Sequence, residues 1–343
     1  MGDVQQETLT GLQPRQSFQQ KPLQRLSFIT PDRTFEWVLA VLAVLTTALV
    51  FLIAFELWQG SAAARHAFGW RFITSSEWDP VNGLFGAAPY IFGTLVTSAV
   101  ALLLAAPIGV GTAIFLTELA PRWIRSVVGF LVEMLAAIPS VIYGLWALFA
   151  LVPIVRHHVE PSLNRWFGVL PFFQGPAYGV GLLSASLVLT IMVLPTITSI
   201  SRAVLERTPE DQRFAAYALG ATRWEVIRNV TVPHARSGII GALILGLGRA
   251  LGETMAVTMV IGNRGSITSS LFALGDTMAS VIANQFSEAD YDLYTSALVE
   301  IGLLLFVVTV ILNVGARFLV SRIGGQQYGS ASGNANGNVK GGA

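Results

Sequence analysis

The chain has 343 residues, of which 53% are hydrophobic and only 12% are charged, and it contains no cysteine. A soluble domain carries about twice that share of charged residues, and the formal net charge here is only +1. These values exclude a soluble enzyme, a disordered chain and a nucleic-acid-binding protein with a strong basic surface. The lack of cysteine also excludes disulfides and thiolate metal sites. The composition is typical of a polytopic membrane protein.

Six apolar runs are long enough to supply the roughly 20 residues that a transmembrane helix needs. The sequence therefore predicts an all-α membrane protein with six transmembrane helices between residues 35 and 320. The polar segment 1–34 and the Gly/Ser/Asn-rich segment 321–343 are expected to be flexible tails. The predicted spans are 35–57, 88–116, 127–152, 178–200, 239–261 and 295–320.

The basic residues are distributed unevenly between the segments that join these spans. If both termini lie on one side, that side holds fifteen of the 21 Lys and Arg, and Arg249 lies within a span. Because basic residues concentrate in cytoplasmic segments, we expect both termini to be cytoplasmic. The opposite side holds only five basic residues: Arg65, Arg71, Arg156, Arg165 and Arg264.

The segment 208–233, between the fourth and fifth predicted spans, carries the signals of two short helices. Thr208 can cap the first helix, and Gly220 suits the left-handed position that ends it. Thr222 and Glu225 form a capping box that opens the second helix, which we expect to end before Pro233. This loop could be a surface decoration or a DNA-binding helix pair. Its attachment to membrane spans at both ends makes docking on a partner protein the favoured interpretation.

The fifth predicted span contains two charged residues, Arg249 and Glu253. Each would cost about 2.5–3.5 kcal/mol if it faced lipid. Four residues apart on one helix, the two side chains could pair. Two interpretations are open: the pair serves helix packing alone, or Arg249 binds a passing oxyanion with Glu253 as a replaceable partner. The neighbouring Gly252, like Pro139 and Ser140 in the third span, is a candidate position for a kink or gate.

Three sequence motifs carry a resemblance to a known family. The run Gly-Arg-Ala-Leu-Gly-Glu-Thr-Met-Ala-Val at 248–257 resembles the PstC-type permease subunit of phosphate ABC importers, as does Leu-Ala-Ala-Ile-Pro-Ser-Val-Ile-Tyr-Gly-Leu at 135–145. The loop at 208–233 is similar to the EAA loop of ABC-importer permeases, with Phe214 where the family carries Glu. The resemblance implies that Arg249, Glu253 and Thr254 contact the substrate during translocation. It also implies that the following residues couple to an ATPase: Phe214, Ala215, Ala216, Leu219, Gly220, Trp224, Glu225 and Pro233.

The resemblance further implies the type I, MetI-like permease architecture and a bacterial inner-membrane location. The expected partners are a homologous second permease, two cytoplasmic ATPases and an extracytoplasmic phosphate-binding protein; a phosphate-signalling regulator could join them. The sequence has no Gly-x-x-x-x-Gly-Lys-[Ser/Thr] motif, so ATP and Mg²⁺ are expected at the ATPase. We expect no catalytic site, no metal and no cofactor in this chain, and no nucleic-acid partner.

Two alternatives to a phosphate permease remain open at this point. One is the permease of another oxyanion importer, for sulfate or molybdate, which we expect to lack the Arg-x-x-Gly-Glu-Thr-Met run. The other is a self-contained anion channel or secondary transporter, which would need no ATPase and would show paired repeats of broken helices.

Overall fold

The computed structural model describes the backbone of residues 31–324 and the side chains of residues 33–318. This part of the chain is helical apart from its connecting segments, and it divides into two units, one ending at Leu52 and one beginning at Ile53. The predicted tails lie outside the described residues, except that 31–34 and 321–324 are helical. The helices are α1 Pro31–Gly60, α2 Ala62–Phe68, α3 Arg71–Thr74, α4 Ala88–Leu119, α5 Arg122–Ala137, α6 Ser140–Phe167, α7 Leu182–Leu205, α8 Glu210–Ala218, α9 Arg223–Leu251, α10 Met255–Thr258, α11 Met278–Gln285 and α12 Asp292–Gly324.

Six of these helices, namely α1, α4, α6, α7, α9 and α12, are long and apolar enough to cross a membrane. The prediction of an all-α chain with six spans is therefore confirmed. Four of the six predicted spans differ from the observed helices by a few residues at their ends. The third and fifth differ more, and both differences have a local cause.

The third predicted span, 127–152, is wrong because Pro139 divides it into two helices. The residue before a proline is pushed towards extended backbone, and Ile138 has φ −70° and ψ 128°. Pro139 is therefore a junction between α5 and α6 and not a kink within one helix, and Ser140 is the first residue of α6. The membrane-length helix here is α6, which continues to Phe167 through a segment that the sequence predicted to be an outer loop.

The fifth predicted span, 239–261, is wrong at both ends. Helix α9 begins at Arg223 and runs without interruption to Leu251, so Pro233 lies inside it and not beyond a short helix. A π-helical turn at Ile227–Thr231 ends two residues before Pro233. A π-helical turn and a proline each interrupt the regular hydrogen bonding from residue i to i−4, so this part of α9 departs from ideal α-helix geometry.

Helix α7 is the most buried of the six long helices. It packs against α4 and α9, and its core-facing side includes small hydroxyl residues as well as Leu, Met and Val. The buried hydroxyls donate to backbone carbonyls, for example Thr190 to Ser186 at 2.7 Å and Thr198 to Gly109 of α4 at 3.3 Å. These bonds satisfy polar groups that would otherwise be costly in an apolar interior.

The segment before α11 docks closely on α4. The Met278 amide donates to the Thr94 hydroxyl at 2.9 Å, and the buried Asp276 carboxylate accepts from the Thr277 amide at 2.9 Å and from the Ser280 hydroxyl. Burial raises the pKa of Asp276 to about 6. A Cβ atom built at Gly93 would lie 1.9 Å from the Asp276 carbonyl oxygen. Only glycine allows this approach between α4 and the 260–277 segment.

Replacing Gly93 with Ala should therefore destabilise the protein by about 1–3 kcal/mol, the usual cost of overpacking. Gly111 on the same helix is a matched control, because a Cβ atom there would meet nothing within 4 Å. The thermal unfolding midpoint of the detergent-purified protein should fall for Gly93→Ala and stay constant or rise for Gly111→Ala. Equal midpoints for the two variants would contradict this account of the contact.

Candidate functional site

The turn in the loop between α7 and α9 has the local structure that its sequence predicts, whereas the start of the first helix and the end of the second differ from the prediction. Gly220 has φ +85°, in the left-handed region, and both bonds of the capping box between Thr222 and Glu225 are present. The predicted cap at Thr208 is wrong: α8 begins at Glu210, after Pro209, and Thr208 is buried. A proline fixed at φ −56° starts this helix without a side-chain cap.

This loop presents apolar side chains to the outside of the chain. The exposed fractions are 64% for Phe214, 90% for Leu219 and 64% for Trp224. We call these three residues the apolar loop face. Ile227, in the second turn of α9, is buried and holds the start of this helix against the rest of the chain. Ala215 and Glu225 are exposed, and Ala216 and Pro233 are half-buried.

Arg249 lies two residues before the end of α9, and its side chain is exposed in this chain. Its guanidinium donates one long bond, 3.4 Å, from Nη1 to the hydroxyl of Thr196 on α7. The predicted pair with Glu253 is wrong: the ion pairs found between residues 33 and 318 are Arg202–Glu206 and Arg213–Glu118. The physical reason is that α9 ends at Leu251, so the helical spacing of four residues does not extend to position 253.

Glu253 takes part in the start of the next helix instead. Its Oε1 accepts from the backbone N–H of Ala256 at 3.4 Å, as acidic residues do at helix N-termini. Thr254 directly precedes α10 and donates its hydroxyl to the Gly252 carbonyl at 3.3 Å. Arg249, Gly252, Glu253 and Thr254 thus surround a break between two helices, at which the helix direction can change.

This geometry leaves the Arg249 guanidinium able to bind an anion. A planar guanidinium offers several N–H donors in a fork that matches the oxygens of carboxylate or phosphate. A single long bond to a neutral hydroxyl competes weakly with such a ligand. The sequence could not identify Thr196 as the neighbour of Arg249, because a threonine 53 residues earlier in an apolar run carries no signal of contact.

Comparisons with known proteins agree with this architecture. Residues 105–325 match the family described as "Binding-protein-dependent transport system inner membrane component". The "Phosphate transport system permease protein PstC" of Mesorhizobium japonicum is 48% identical over 300 residues, which cover 86% of this chain and 92% of the relative. The protein of the same name from Haemophilus influenzae is 47% identical over 296 residues, which cover 85% of this chain and 94% of the relative.

Two solved structures show the same fold at low sequence identity. A bacterial ABC transporter involved in the import of alginate is similar with a TM-score of 0.56 at 20% identity, over 85% of this chain and 98% of that chain. The inward-facing MetNI methionine ABC transporter is similar with a TM-score of 0.54 at 18% identity, over 72% of this chain and 99% of that chain. The predicted MetI-like permease architecture is confirmed. The chain belongs to the family of binding-protein-dependent transport system inner membrane components.

Proposed function

We propose that the chain is the permease subunit of an ATP-driven importer of inorganic phosphate. The observation that carries this proposal is the 47–48% identity, over most of both chains, to proteins named phosphate transport permeases. The exposed arginine near the end of α9 supports the same substrate class, because an arginine within a membrane span often marks an ion or substrate pathway. The predicted membrane location and the fold are those of such a subunit.

Arg249 is the residue that we assign to the anion. Phosphate oxygens would accept from the guanidinium and displace its weak bond to Thr196, which would re-form when the anion leaves. Conduction requires a site that binds strongly enough to be entered and weakly enough to be left. Glu253 and Thr254 would fix the start of α10, which is the second helix end at this site. A homologous second permease would supply the other half of the pathway.

The apolar loop face is the surface that we assign to a cytoplasmic ATPase. Phe214, Leu219 and Trp224 are large, exposed and held by a capped turn, as expected of contacts that a partner covers. If the loop faces a cytoplasmic ATPase, both termini also lie in the cytoplasm, in agreement with the distribution of basic residues. The energy for transport would then come from two ATPase subunits that bind ATP and Mg²⁺. An extracytoplasmic phosphate-binding protein would deliver the anion to the other side.

The proposal is tested by purifying the chain with its partner subunits and measuring uptake into proteoliposomes. We expect an ATPase to co-purify, and labelled phosphate to enter only with ATP and the binding protein present. Excess sulfate should not compete. Equal competition by sulfate would favour a permease for another oxyanion, and ATP-independent uptake would indicate a channel or secondary transporter.

A further inference from the structure

The last turn of α4 is held by side chains from two other helices. This turn, Phe115–Leu119, is π-helical, and a helix end leaves carbonyl oxygens without backbone partners. Arg125 of α5 binds two of them: its Nε donates to the Leu116 carbonyl and its Nη2 to the Thr117 carbonyl, both at 2.7 Å. The end of α4 and the start of α5 are therefore fixed to each other.

Arg213 of α8 holds the same turn from another direction. Its Nη1 lies 3.2 Å from Oε1 of Glu118, and its Nη2 donates to the carbonyl of Leu205, the last residue of α7, at 2.9 Å. The exposed fractions of the two charged side chains are 20% for Arg213 and 8% for Glu118. One arginine thus connects α8 to the ends of both α4 and α7.

Among the ion pairs and side-chain hydrogen bonds found between residues 33 and 318, the two made by Arg213, to Glu118 of α4 and to the Leu205 carbonyl of α7, are the ones that join α8 to the long helices. None of the residues 210–218 is buried, so the hydrophobic effect contributes little to holding this helix in place. The second ion pair joins Arg202 in the last turn of α7 to Glu206, the residue directly after α7, and cannot connect helices. Movement of α8 relative to α4 must therefore act on the Arg213–Glu118 pair.

We infer that the ion pair between Arg213 and Glu118 transmits movement of the ATPase-facing loop to α4, and that both are positioning residues for transport. The inference rests on the proposed docking of the apolar loop face on an ATPase. An apolar contact between α8 and α4 could slip, whereas a partly buried ion pair resists separation, because either charge left alone there would be costly. The pair makes α8 and the end of α4 move as one body.

The first test measures, in the full chain, whether the ion pair holds α8 at a fixed distance from α4. Because the chain has no cysteine, Gln212→Cys on α8 and Leu103→Cys on α4 provide two unique sites for spin labels, both at exposed positions. We expect a narrow distance distribution between the labels in the parent protein and a broad one after Glu118→Gln. The control Glu206→Gln, which breaks the local ion pair at the C-terminal end of α7, should leave the distribution narrow. A distribution that Glu118→Gln does not change would overturn the inference.

The second test measures coupling in the complete complex with its partner subunits. For Glu118→Gln we expect phosphate uptake per ATP hydrolysed to fall by about tenfold or more, since 1.4 kcal/mol already corresponds to a factor of ten. Complex yield and ATP hydrolysis should stay near wild-type levels. The double variant Arg213→Gln/Glu118→Gln should be no worse than Arg213→Gln alone, because that single variant already removes the ion pair. Arg213→Lys, which keeps the charge, should retain more phosphate uptake per ATP hydrolysed than Arg213→Gln.

The outcomes separate this inference from the proposed function. If the wild-type complex shows no phosphate uptake while the spin-label distances respond as expected, the proposed substrate is wrong, but the connection of α8 to α4 by the ion pair is supported. If uptake, hydrolysis and complex yield fall together, or if the two single variants add, Arg213 and Glu118 serve folding and not coupling. An unchanged ratio of uptake to hydrolysis in Glu118→Gln would also refute the inference.

Discussion

Replacing Arg249 with Gln is expected to reduce phosphate uptake by about a hundredfold while the subunits still assemble. The exchange removes the positive charge, and the loss of one charged partner from a desolvated hydrogen-bonded pair costs about 2–5 kcal/mol. The side chain is exposed in this chain, and its recorded contact with Thr196 is a weak 3.4 Å bond, so the fold should not depend on it. Uptake of labelled phosphate by proteoliposomes that contain the complete complex measures the effect.

The control for this prediction is Arg165→Gln, an exposed arginine near the end of α6. It changes the net charge equally but lies far along the sequence from the break after Leu251, and uptake should stay within about twofold of the wild-type rate. Arg249→Lys should retain partial activity, since an ammonium keeps the charge but lacks the planar fork of donors. Undiminished uptake by Arg249→Gln would remove Arg249 from the anion pathway.

Replacing Gly220 with Val is expected to uncouple ATP hydrolysis from transport. Gly220 has φ +85°, a conformation that costs an L-residue roughly 1–2 kcal/mol, and a β-branched residue tolerates it least. A Cβ atom there would meet nothing within 4 Å, so the effect must arise from the backbone and not from a clash. The turn would change, and the apolar loop face would no longer fit its partner.

Gly220→Asn is the matched control, because asparagine adopts the left-handed conformation more readily than other side chains. Stimulated ATP hydrolysis and phosphate uptake should be nearly normal in the Asn variant and should fall severalfold in the Val variant. The measurement is ATP hydrolysis by the purified complex with and without the binding protein. If the Val variant binds and stimulates the ATPase normally, the docking role of this loop is wrong.

Features that depend on local rules were predictable from the sequence. The six spans follow from the length of apolar runs, and the turn at Gly220 and the capping box at Thr222 follow from the backbone preferences of the residues involved. The position of the third span was not predictable from hydropathy, because α5 and α6 form one continuous apolar run. Only the stereochemistry of Pro139 separates them, and a proline can equally lie inside a membrane helix, as Pro195 does in α7.

The candidate site was predictable only in part. Arg249 stands out because a charge in an apolar run is costly, but its assumed pairing with Glu253 required a helix that continues past Gly252. The actual neighbour of Arg249 is Thr196, which lies 53 positions earlier. The ion pair joins Glu118 and Arg213, which are 95 positions apart. Contacts of that separation depend on how helices pack, and a single sequence carries no periodic signal of them.

Because α9 is continuous, a rotation at one end of this helix moves its other end. Its 29 residues, Arg223–Leu251, extend over about 43 Å at 1.5 Å per residue, with the capped turn at one end and Arg249 near the other. If one end is held, a tilt of about 5° displaces the opposite end by about 4 Å, which is more than the length of a hydrogen bond. A small rotation at the loop would thus displace the far end of α9 enough to move the Arg249 guanidinium into or out of reach of an anion. The π-helical turn at Ile227–Thr231 lies close to the end of α9 where force would be applied.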